Sequence, residues 1–113
     1  RLSAFVDSAK KLLMLQGCAL CSITHSLTGE KSEWRTCREE IGVPIDYRHQ
    51  DDVDNGLAEV VQGRVPCIVA AVANHLEMLL TPEMLTRCRG NVADLKGRLK
   101  VSATMKDLVL PLS

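Results

Sequence analysis

Two short, uninterrupted apolar runs constrain this chain more than any other feature: Leu12-Leu13-Met14-Leu15, which follows Lys11, and residues 67–72. Each is too brief for a core helix, so each reads as a strand buried on both faces, which demands covering layers on either side. The first is read as the central strand.

The segments between and after these runs carry their own periods. Trp34, Cys37 and Ile41, at three- and four-residue steps, form one apolar helix stripe, with Ser32 as N-cap, Glu33 in the first turn and Gly42 as the stop. Val43, Ile45 and Tyr47 alternate with Pro44, Asp46 and Arg48, which is the period of a half-buried strand, and Pro44 assigns it to a sheet edge or a strand start. Asp51 or Asp52 then caps a helix with the stripe Val53, Leu57, Val60 and Val61, closed by Gly63. Residues 67–72 and 75–80 pair as a hairpin about Ala73-Asn74, because Asn tolerates positive φ. Thr81-Pro82-Glu83 starts a further helix with cap, N1 proline and first-turn acid in order. Its face continues through Leu85, Cys88, Val92 and Leu95 to about Lys100, with a bend at Gly90. A fainter helical spacing covers residues 2–9, and residues 22–27 continue as helix until Gly29.

The order is βαβαββα. Its front half requires a parallel pair and its hairpin an antiparallel one, so the expected fold is α/β, a mixed four-stranded sheet with helices on both faces. With 113 residues and 46% apolar content, one domain spanning 1–113 is expected, its core at about 11–100 and an apolar tail at 101–113. That tail carries Val101, Met105, Leu108, Val109, Leu110 and Leu112, and it can dock on its own domain or form a homodimer with a second copy.

Fourteen basic and fourteen acidic side chains cancel, so no field favours nucleic acid. No run reaches the roughly 18 apolar residues of a membrane span, and no secretory signal opens the chain, so the expected compartment is the cytoplasm. The five cysteines, at 18, 21, 37, 67 and 88, lack the spacing of a disulfide scaffold. Cys37, Cys67 and Cys88 fall on apolar faces and read as buried small hydrophobes.

Cys18 and Cys21 are different. In Gly17-Cys18-Ala19-Leu20-Cys21 they follow the central strand and open a helix. A thiolate at Cys18 would face the unpaired N–H groups of that helix start, which can lower a thiol pKa from about 8.5 toward roughly 3.5–7.5, and Cys21 lies one turn on. The spacing suits dithiol redox chemistry, with zinc binding or inert thiols as the alternatives. His25, one turn after Cys21, could join a metal set, although a solvated helix histidine is the more common case, and no metal or cofactor is assigned. Asp51, Asp52 and Asp54 read as a helix N-terminus rather than a calcium loop, and Trp34 as a packing residue.

Over residues 11–100 the chain resembles the thioredoxin superfamily, and its glutaredoxin-like branch in particular. The resemblance rests on the element order, on Cys18-Ala19-Leu20-Cys21 between first strand and first helix, and on Val65-Pro66 before the apolar hairpin. In that family the proline peptide is cis and packs beside the cysteines, and the residue before it offers its backbone to a peptide or glutathione. The resemblance therefore implies that Cys18 attacks, Cys21 resolves, and Val65 and Pro66 form the substrate platform. It implies a thiol–disulfide oxidoreductase acting on a protein disulfide or a low-molecular-weight thiol, or else a redox-inactive thioredoxin-fold interaction module. The chain departs from thioredoxin proper in having no acid within Leu12 to Leu15, and from typical glutaredoxins in carrying Gln16-Gly17 before the pair.

Overall fold

The computed structural model describes residues 7–8, 10–48, 55–72, 76–106 and 108–109. The side chains of Asp7, Ser8, Cys18, Asn55 and Val109 lie outside that description. So do the Asp51/Asp52 cap, Val53 and the Ala73-Asn74 turn.

A mixed four-stranded sheet forms the centre. It comprises β2 (Lys11–Leu15), β5 (Ile45–Arg48), β6 (Cys67–Ala71) and β7 (Leu76–Leu80), in the order β5-β2-β6-β7. β2 pairs parallel with β5 and antiparallel with β6, which in turn pairs antiparallel with β7. The inner position of β2 agrees with its sequence, since Leu12 to Leu15 are apolar on both faces of the strand and all four are buried. Pro44 stands immediately before β5, which is an edge strand, so both positions open to the proline hold.

Alternate residues of the two inner strands feed two separate cores. Leu12 and Met14 of β2, with Ile68 and Ala70 of β6, face α1 (Cys18–Thr24), α2 (Ser32–Ile41), α4 (Pro82–Arg87) and α5 (Val92–Met105). Leu13, Leu15, Cys67 and Val69 face α3 (Asn55–Val61) through Leu57 and Val61. Helices thus cover both faces. Each fully buried leucine contributes about 1.5–3 kcal/mol, so the larger cluster dominates stability. A bulge in β7 adds Leu79 between the residues that pair with Ile68 and Val69, and both Leu79 and Leu80 join the larger core.

Several elements differ from the sequence reading. The helix expected through residue 27 ends at Thr24, because His25 adopts an extended conformation. β3 (His25–Ser26) and β4 (Gly29–Glu30) then form a small hairpin, with Gly29 at φ 123°. α2 takes Lys31 as its N-cap, without a side-chain bond, and Ser32 is its first residue. The single bent helix expected from Thr81 is two helices. Arg89 and Gly90 both sit at positive φ, and Asn91 caps a new start by accepting from the Asp94 N–H (3.0 Å). Asp7 and Ser8 are not helical; they form β1, which pairs parallel with β8 (Leu108–Val109). The described part of the tail is therefore not a separate appendage: α5 runs on to Met105, and Ala103 and Leu108 belong to the main core. Among the described residues, no helix is long and apolar enough to cross a membrane.

Candidate dithiol site

The register of β2 against β6 builds this site. Leu15 lies opposite Cys67, so the residues that follow β2 and those that precede β6 emerge side by side at one end of the sheet. Gln16 stays tied to the edge strand through its N–H to the Arg48 carbonyl (2.9 Å). Gly17 is extended, at φ −178°, and caps α1; its carbonyl accepts the Cys21 N–H (2.9 Å), closing the first turn over the cysteine motif.

The opposite wall comes from the end of α3. Gln62 and Gly63 turn through positive φ, Arg64 donates its N–H to the Val61 carbonyl (3.0 Å), and the Val65–Pro66 peptide is cis. The Val65 N–H donates to the Gly63 carbonyl (3.2 Å). Pro66 then lies directly against Gly17: a Cβ placed on Gly17 would sit 2.7 Å from Pro66 Cδ and 2.9 Å from its Cβ and Cγ. Glycine is needed here for close approach, since its extended backbone suits any residue. The sequence reading did not include Gly17 among the site residues; the signal was a glycine placed directly before the cysteine pair.

α1 is anchored by Leu20 and Ile23, both buried, while Cys21 and Ser22 are exposed. Cys21 is a free thiol. The C-terminal end of α1 is held by hydroxyls: Ser22 Oγ donates to the Ala19 carbonyl (2.9 Å), and Thr24 Oγ1 lies 2.6 Å from His25 Nδ1. His25 is thus engaged with its neighbour. Among the described residues, no three His, Cys, Asp or Glu side chains converge as a metal would need.

The other described thiols are of a different kind. Cys37, Cys67 and Cys88 are buried and free, as their apolar positions predict. Burial pushes each thiol up, Cys67 to about 11 despite the opposing pull of Arg64. Although Cys67 adjoins Pro66, it belongs to the α3 core, on the opposite sheet face from Leu20 and Ile23. Trp34 is fully buried, and its Nε1–H donates to Tyr47 Oη (3.1 Å), so it packs as expected.

Compared with family models, with curated proteins and with solved structures, the chain has no match.

Proposed function

We propose that this protein is a thioredoxin-like thiol–disulfide oxidoreductase working through Cys18 and Cys21. The observation that carries the reading is the contact between Pro66 and Gly17, which sets a cis-proline segment against the residue preceding the cysteine pair. The strand order β5-β2-β6-β7 and the helices on both faces agree with it.

In the proposed cycle the Cys18 thiolate attacks one sulfur of a substrate disulfide, and the other sulfur leaves as a thiolate. Cys21, as a thiolate, then attacks Cys18 Sγ, releasing the second substrate thiolate and leaving the pair oxidised. Two electrons pass from the pair to the substrate, and a low-molecular-weight thiol can restore the dithiol. A substrate strand laid along Val65 would exchange its own acceptor for the Gly63 carbonyl at the Val65 N–H.

Equilibration in glutathione buffers, read by mass spectrometry after acid quench and alkylation, tests the proposal. A Cys18–Cys21 disulfide should titrate as one two-electron couple, and Cys21→Ser should accumulate a mixed disulfide at Cys18. Should neither single serine variant trap a thiol partner and no internal disulfide form, the domain is a redox-inactive interaction module.

A further inference from the structure

Arg64 is the only charged residue between the end of α3 and the start of β6. It stands two positions before Pro66, and with a cis bond between 65 and 66 the Cα atoms of Arg64 and Pro66 are at most about 7 Å apart. Pro66 in turn lies against Gly17, at the mouth of the cysteine loop. No carboxylate neutralises this arginine. Its exposed guanidinium donates from Nε to the Val61 carbonyl (3.3 Å) and from Nη2 to the Val60 carbonyl (3.5 Å), and among the described residues no acidic side chain pairs with it. Arg48, which ends the edge strand β5, is by contrast paired with Asp46 (2.9 Å). Glu83, which follows β7 at the same end of the sheet, stands in the first turn of α4, where the helix start offsets its charge.

The two bonds to α3 fix the guanidinium before any substrate arrives, and both go to neutral carbonyls, so the full charge and further N–H groups remain for a carboxylate. Its pull extends to the Cys67 thiol beside Pro66, where it opposes the effect of burial.

We propose that Arg64 selects the substrate, so that the dithiol acts on peptide or protein disulfides whose cysteine has an acidic residue within one or two positions. The assignment rests on the dithiol reading above. An extended chain advances about 3.3 Å per residue, so a strand paired with the Val65 backbone and holding its sulfur at Cys18 passes Arg64 within one or two residues of that sulfur. A carboxylate there meets the guanidinium in a charge-assisted pair, and a lysine is repelled.

Capture of short blocked peptides by the Cys21→Ser chain tests this. Each peptide holds one cysteine flanked on both sides by glutamate, by lysine or by glutamine, and is supplied as its own disulfide-linked dimer. The Cys18 thiolate takes one peptide as a mixed disulfide while the other leaves as a thiolate, and mass spectrometry after acid quench follows the product. Rates are taken relative to those of the same peptides with uncharged dithiothreitol. The glutamate peptide should be captured about 10-fold faster than the lysine peptide at about 20 mM salt, and the preference should shrink at about 0.5 M. Arg64→Lys should keep the order, Arg64→Gln should bring the two rates together, and Arg64→Glu should reverse them. Lys100→Gln, which removes a positive charge from an exposed position on α5, should leave the preference in place; a loss there would assign it to net charge and overturn the proposal. A merely structural role as the α3 cap would slow all three peptides alike, so a preference that Arg64→Gln leaves unchanged overturns the proposal and spares the dithiol reading. Equal capture of the glutamate and lysine peptides by an unaltered Arg64 does the same. No capture of any peptide removes the dithiol reading and this inference with it.

Discussion

Gly17 and Cys67 are the residues at which single atoms decide most. A methyl group on Gly17 would overlap the Pro66 ring, which is stiff and anchored at the start of β6, so the cysteine loop and the Val65-Pro66 segment would have to separate. Gly17→Ala should destabilise the fold by about 1–3 kcal/mol, measured by urea unfolding, and should slow mixed-disulfide formation at Cys18. An unchanged midpoint would show that the two segments do not depend on this contact. Cys67 makes a pH prediction. Burial holds its neutral form in the folded protein up to about 11, against an ordinary value of 9.0. Its contribution is complete below about pH 9 and is lost as the pH rises through about 11. The urea midpoint should therefore fall over that window more steeply in the wild type than in Cys67→Ala. Parallel curves would mean that burial of this thiol is not linked to stability.

At the scale of elements, the helix starts were legible where a side chain makes the cap. Thr81 was read correctly: its Oγ1 accepts the Met84 N–H (3.3 Å), with Pro82 and Glu83 following in order. Ser32 was misread by one position, because the Lys31 backbone makes that start without any side-chain bond and so leaves no distinct residue type as a marker. The break at residues 88–91 was visible only as a bend. Gly90 marks it, but the second positive-φ residue, Arg89, is of a type that gives no warning. Once the break exists, Asn91 becomes a true N-cap. Asn91→Ala and Thr81→Ala should each cost about 1 kcal/mol, read as shifts in thermal midpoint. A cost at Thr81 alone would mean that α4 and α5 behave as one element in solution. The β3–β4 hairpin was not read from the sequence, where Gly29 marked only the end of a helix; Lys31, just after it, donates from Nζ to the Gly90 carbonyl (2.9 Å) and links it to the α4–α5 turn.

On the scale of the whole molecule, two cores share two strands. Every second residue of β2 and β6 serves the α3 side, and the residues between serve the other helices, so neither layer can be lost without exposing half of both strands. Unfolding should therefore be a single cooperative event. The only tryptophan, Trp34, lies in the larger core and reports on it by fluorescence, while far-ultraviolet circular dichroism reports on every element, α3 included. The two urea transitions should coincide, also in Leu57→Ala, which should cost about 2–5 kcal/mol by opening a cavity beneath α3. A separate early transition in circular dichroism would show that α3 melts on its own.

The sequence by itself determined the layers of this protein. Continuous apolar runs demand strands covered on both faces, Pro44 demands a sheet edge or a strand start, and helix stripes at 3.6-residue spacing demand a sheet to cover, because hydrophobic burial acts on local pattern. It also marked Cys18, Cys21, Val65 and Pro66 as the residues to watch. Only the tertiary structure decided which of these meet. The pairing of Leu15 with Cys67 brings Gly17 to Pro66, and it sets Cys67 on the α3 face, opposite the core that holds Cys37 and Cys88. Register is a relation between strands more than 50 residues apart in the chain, read from Leu15 and Cys67, and no local period encodes it.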